Sequence, residues 1–179
     1  MYTHRLRDFS QEAITIQPGE FYASAEDIVI ITVLGSCVSV ALRDGQHNVG
    51  GLNHFILPEP PEHSDSGPLG PGRYGIFAMD ILIDTMLGLG ASRDCLSAKV
   101  FGGATVLHSS GCDTGVARAN IEFVTAYLER EGIPVLSSDT GGDRARKLLF
   151  FVRTGAVLLR RLGAAATARY QNPGFPVKP

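Results

Sequence analysis

The chain has 179 residues, which suits one domain spanning 1–179 with a core that needs no disulfide staples. Apolar residues make up 44% and charged residues 19%, and the formal net charge is −2, so the chain reads as globular and lacks the basic excess of a nucleic-acid binder. The longest apolar run, Ile28 to Leu34, is too short to span a bilayer, and the opening M-Y-T-H-R-L-R-D-F-S has no signal-peptide core. Three widely spaced cysteines, an odd number, fit free thiols in a reducing cytoplasm.

Residues 1–17 read as a loose lead-in with one strand at Ala13 to Ile16, followed by a turn at Pro18-Gly19. Ile28 to Leu34 is rich in isoleucine and valine and predicts a buried strand. Strands are also expected at Val38 to Leu42 and Leu52 to Leu57, joined through the polar turn Arg43 to Asn48. Residues 58–72 hold five of the ten prolines and read as a loop beside the end of that second strand. Apolar spacing predicts a helix over Tyr74 to Leu89, with Gly88 and Gly90 at its end. Leu96 to Phe101 follows as a strand running into Gly102-Gly103. Asn120 is the expected cap of a second helix, Ile121 to Arg130. A strand at Pro134 to Ser138, a turn at Asp139 to Asp143, and a hairpin of Leu148 to Val152 with Ala156 to Arg160 complete the pattern. Residues 164–179 read as a tail. Seven or eight strands with two helices give an α/β (α+β) sandwich: mixed sheet layers with two main helices packed outside.

One cysteine and one histidine carry the chemical argument. Cys37 follows Gly35-Ser36, and His54 lies seventeen residues on, near the end of the next apolar run. If the two strands pair, a thiol comes near an imidazole, the minimum for a cysteine nucleophile. Gly35 allows a sharp turn, which leaves backbone N–H groups around Ser36 and Cys37 available to an oxyanion. The plain alternative is a small buried cysteine and a satisfied core histidine. For metal, only Cys112 and His108, with Asp113 beside them, have ligand-like spacing, and no second pair completes a zinc site. Gly102-Gly103 lacks the lysine and spacing of a phosphate loop and reads as a point of close backbone approach. Arg144, Arg146 and Lys147 form a small basic cluster whose bland reading is a solvated turn.

Several blocks, in order, resemble the CheD family of chemoreceptor glutamine deamidases. They are L-G-S-C-V-S-V at 34–40, G-G-L-N-H-F-I-L-P at 50–58, R-Y-G-I-F-A-M at 73–79, A-K-V-F-G-G-A at 98–104, I-P-V at 133–135 and D-T-G-G-D-R at 139–144. The resemblance implies hydrolysis of particular glutamine side chains in methyl-accepting chemotaxis receptors to glutamate. It also implies a CheC-type phosphatase as a partner in some members, and no metal or organic cofactor. It puts the nucleophile on Cys37 and the general base on His54; Ser36, Gly35 and Asn53 around them are the expected oxyanion or supporting residues. The family's third catalytic residue, a threonine, would fall on Ile31, while threonine stands at 32. A one-residue shift in a strand turns a side chain to the other face, so the role of Thr32 stays open. Ala117 stands where the family motif near the second helix has glycine. Arg144 and Arg146 are the expected docking contacts for anionic receptor helices. The competing class is a non-catalytic adaptor that binds receptors or a CheC-type phosphatase.

Overall fold

The computed structural model describes residues 1–5, 9–61, 70–105 and 114–163. Ten strands form two mixed five-stranded sheets. They are β1 (Tyr2–Arg5), β2 (Glu12–Thr15), β3 (Phe21–Ser24), β4 (Ile28–Leu34), β5 (Val38–Asp44), β6 (Val49–Asn53), β7 (Leu96–Gly102), β8 (Val135–Thr140), β9 (Arg146–Phe151) and β10 (Val157–Arg161). One sheet runs β1-β2-β4-β9-β10 and the other β3-β6-β5-β7-β8. Pairing is antiparallel except for β2 with β4 and β7 with β8.

The two helices, α1 (Gly75–Gly88) and α2 (Thr114–Arg130), both pack on the second sheet. In α1 the buried residues Ala78, Met79, Leu82, Ile83 and Met86 recur at helical spacing and form one face. In α2 the buried stripe is Ala117, Asn120, Val124 and Tyr127 with Leu128. These faces close on Val38, Val40, Leu42 and Phe55. Gly51 of β6 lets α1 sit close, because a Cβ there would stand 2.6 Å from a Leu82 methyl and 2.9 Å from Ala23 Cβ. The opposite face of that sheet packs on the first one, where Ala41, Leu52 and Phe101 meet Ile30, Leu34, Leu148 and Phe150. The layers are therefore helices, sheet, sheet.

Four expectations change. The strand expected at Leu52 to Leu57 is β6, Val49–Asn53. The described part of 1–17 is not a loose lead-in: β1 and β2 form one edge of the first sheet, and Ala13, Ile14 and Ile16 are buried. β3 is an added strand; it is four residues long and only Ser24 is buried, so no alternation marks it. The second helix starts at Thr114, which puts Asn120 inside it and not at its cap. The expected tail at 164–179 lies outside the described residues.

Candidate active site

Two of the points at which the chain passes between the two sheets lie near each other. Gly35-Ser36-Cys37 leads from β4 in the first sheet to β5 in the second. Residues 16–20 lead from β2 in the first sheet to β3 in the second. The candidate site is built where these crossings meet.

His54 follows β6. Its backbone is gripped by the second crossing, with His54 N–H donating to Glu20 O at 2.9 Å and Gly19 N–H donating to His54 O at 2.7 Å. Its side chain is 2% exposed. Nδ1 lies 2.8 Å from Thr32 Oγ1, and that hydroxyl donates to Ile16 O at 3.1 Å. A hydroxyl has one hydrogen, so with Ile16 taking it, Thr32 accepts from Nδ1–H. The proton is thereby fixed on Nδ1 and the lone pair on Nε2. Nε2 is buried and has no hydrogen-bond partner among the described residues. Burial pushes the imidazole pKa down to about 3, so at neutral pH the ring is uncharged and able to accept a proton.

Thr32 faces inward because it follows Ile28 and Ile30 and precedes Leu34 on one face of β4, whereas Val29 and Ile31 face the other way. The one-residue difference between Ile31 and Thr32 does turn the side chains to opposite faces, and it is Thr32, not Ile31, that reaches His54.

Cys37 shares a face with His54. Val38 pairs with Phe55 and Ala41 with Leu52, so on the same register Ile56 lies across from Cys37 and Ser39 across from His54. Cys37, Ser39, Leu52 and His54 then all project into the space between the sheets, and Cys37 packs on that core while staying partly exposed. The backbone around it is fixed from three sides. Gly103 N–H donates to Cys37 O at 2.8 Å and Ala104 N–H to Gly35 O at 2.8 Å. Gly102, at φ +112°, approaches so closely that a Cβ would stand 2.2 Å from Cys37 O. This is the close approach expected of Gly102-Gly103. The bend at 35–37 itself is made without left-handed backbone, so Gly35 is not required there by its φ.

The third side is Asn120, a residue that sequence reasoning placed in another role. Its Nδ2 donates to Ser36 O at 3.2 Å and Ile56 O at 2.8 Å, stitching together the two segments that flank the thiol. One signal was available: Asn120 is a lone polar residue in an otherwise apolar helical stripe, and it is fully buried. Ala117 lies one turn before it in regular helix, with its methyl buried.

Two other expected residues sit elsewhere. Asn53 points to the opposite face of β6 from His54: its Oδ1 accepts from Val40 N–H at 2.8 Å and its Nδ2 reaches Ala78 O and Met79 Sδ of α1. It supports β6 and is turned away from any oxyanion between the sheets. Arg146 is 2% exposed and ion-paired with Asp139 at 2.5 Å, with further bonds to the Gly141 and Arg144 carbonyls. It locks the Asp139–Arg144 turn onto the end of β7, where Gly141 N–H donates to Gly102 O, and cannot serve as a docking contact. Arg144 is exposed. The His108, Cys112 and Asp113 group lies outside the described residues.

A cleft of about 250 Å³ reaches the imidazole from the Thr32 side. Tyr2, Gln17, Pro18 and Lys147 stand around it and it does not touch Cys37. A second polar cluster, Asp44, His47 and Cys95, brings potential ligand atoms within 4.8 Å of one another. Asp44 is already saturated there, accepting from Gln46, His47 and Ser92 N–H groups and from the His47 ring, so the cluster is a structural knot.

The family described as "CheD chemotactic sensory transduction" matches residues 56–161, well over half of the chain. That segment begins just past His54. Curated relatives extend the likeness, each carrying the name "Probable chemoreceptor glutamine deamidase CheD" or that name with the number 1. The Laribacter hongkongensis protein is 45% identical over 155 residues, covering 87% of this chain and 75% of the relative. The Bordetella petrii protein is 48% identical over 155 residues, covering 86% and 68%, and that of Albidiferax ferrireducens 46% over 162 residues, covering 90% and 66%. With a matching family model and relatives at this identity over most of its length, the chain belongs to the CheD family.

Proposed function

We propose that this protein deamidates glutamine side chains of chemotaxis receptors, with Cys37 as nucleophile, His54 as base and Thr32 as the residue that sets the base's tautomer. The observation that carries the reading is the Thr32–His54 hydrogen bond, which leaves Nε2 as an unpartnered base on the face that holds Cys37. Because burial keeps the imidazole neutral, its Nε2 lone pair is available to a proton. Nε2 takes the thiol proton as sulfur attacks the amide carbon. Backbone N–H groups of the 35–37 bend hold the oxyanion; Ser36 N–H donates to no partner among the described residues. The imidazolium, steadied by Nδ1–H to Thr32, returns the proton to nitrogen as the C–N bond breaks and ammonia leaves. Water then cleaves the thioester, giving glutamate and the free thiol.

The substrates are receptor cytoplasmic helices, anionic from their glutamates, and exposed Arg144 is the proposed docking contact. A CheC-type phosphatase is a second proposed partner, on the family resemblance. No helix among the described residues is long and apolar enough to cross a membrane, and the proposed place of action is the cytoplasm.

Ammonia release from receptor cytoplasmic fragments tests the reading. The wild type releases ammonia and Cys37→Ala, with a small replacement that keeps the fold, does not. An adaptor would bind the fragments without ammonia from either protein, which would overturn the enzymatic reading.

A further inference from the structure

Ser39 is fully buried, and its Oγ has no hydrogen-bond partner among the described residues. So is His54 Nε2. An unpaired polar atom in a dry interior is costly, about 1–3 kcal/mol each, and two of them belong here to residues that face each other. Val38 and Phe55 exchange both backbone bonds, at 3.2 and 3.0 Å. Ser39 and His54 lie across from each other between that bridge and the Ala41–Leu52 pair, where Val40 N–H bonds the Asn53 side chain. Ser39, in β5, also lies two residues after Cys37, which precedes that strand. The hydroxyl and the imidazole nitrogen do not bond each other. A small molecule that both donates and accepts satisfies them together.

We infer that Ser39 Oγ and His54 Nε2 jointly hold the water that hydrolyses the Cys37 thioester. The inference rests on the deamidase reading and adds to it a residue for the second half-reaction. Once ammonia has left, Nε2 again carries a lone pair. The water donates one hydrogen to Nε2 and is oriented by Ser39 Oγ. As its oxygen attacks the thioester carbonyl, that hydrogen passes to Nε2. The C–S bond then breaks, sulfur leaves with the bonding pair, and Nε2 returns the proton to it. Water is consumed, one carboxylic acid and one thiol are produced, and no other reactant is needed. Ser39 has no part in acylation, because the thiol proton goes directly to Nε2. A hydroxyl that merely filled space would be dispensable in every step.

The test separates the two half-reactions. Wild type, Ser39→Ala and Ser39→Thr are mixed with receptor cytoplasmic fragment, and ammonia release is followed through the first turnover and into the steady state. Acid-quenched samples are run without reductant to reveal a hydroxylamine-sensitive conjugate between protein and fragment. Thermal melting confirms that each variant is folded. For Ser39→Ala the expected result is an unchanged first-turnover burst, a steady-state rate lower by about tenfold or more, and an accumulated conjugate. Ser39→Thr, which keeps the hydroxyl, restores steady-state turnover relative to Ser39→Ala. An alanine variant with wild-type steady-state rate and no conjugate overturns the inference while leaving the deamidase reading intact. A burst that falls in step with the steady-state rate also overturns it, by placing Ser39 in acylation. A wild type that releases no ammonia overturns the deamidase reading itself.

Discussion

The two ends of the β5–β6 hairpin each bury a titratable side chain and treat it in opposite ways. At the turn end, Asp44 is fully buried and accepts four hydrogen bonds, from Ser92, Gln46 and His47. Burial alone would raise its pKa, but those donors outweigh it and hold the carboxyl at about 2. At the open end, His54 is just as deep, and among the described residues only Nδ1 has a partner. Nothing opposes desolvation there, and the pKa falls to about 3. A buried group with every valence met holds structure together; one with a valence left open has it available for a substrate. The proposed chemistry sits where satisfaction stops.

The sharpest way to break the comparison is at the open end. His54→Ala should lower the rate of Cys37 acylation by several powers of ten, the usual cost of losing the activating base in such a pair. The same change should make the protein less sensitive to acid. The unfolded chain binds a proton at His54 below pH 6.5, whereas the fold resists it until about pH 3. Wild-type stability is therefore lost as pH falls through that window, by about 1.4 kcal/mol per unit at the limit. Urea unfolding at pH 7 and pH 5 checks this: the drop in stability should be smaller in the mutant. An equal drop in both proteins would mean that the ring is charged in the fold.

The turn end should fail differently. Asp44→Ala strands the donors of Ser92, Gln46 and His47 and should cost about 2–4 kcal/mol, with turnover per folded molecule preserved. Loss of turnover in a folded Asp44→Ala protein would erase the distinction between the two ends. The Asp44 contribution is lost only as pH falls from 3.8 toward 2, so it does not blur the His54 window.

The smallest effect concerns two neighbouring arginines with the same contrast. Arg144 is exposed and Arg146 is locked in the turn it organises. Arg144→Glu should raise the apparent KM for receptor fragment by up to about fivefold and leave kcat alone. The rise should shrink as salt screens the charge. Equal KM values at low salt would remove the docking role.

How much was legible follows the same physics. β4 was readable end to end, because seven β-branched and apolar residues bury on both faces. Cys37 and His54 stood out through their residue types and spacing. The role of Thr32 stayed open because the family's threonine position falls on Ile31, one residue away and on the other face of β4, and only the folded structure shows which of the two reaches His54. Arg146 was misjudged because charge clustering in sequence ignores strand alternation: Arg146 points in, and Lys147 points out toward the cleft. The hold of residues 16–20 on His54 is a tertiary contact between segments over thirty residues apart, carried by backbone atoms that any side chain would supply.

The central claim is that the Cys37–His54 face performs glutamine chemistry on chemoreceptors. The direct measurement is peptide mass spectrometry of receptor cytoplasmic fragments after incubation with wild type and with Cys37→Ala. Conversion of particular glutamines to glutamates by the wild type alone is the predicted result. Fragments left unchanged by a folded wild type, or converted equally by Cys37→Ala, would contradict it.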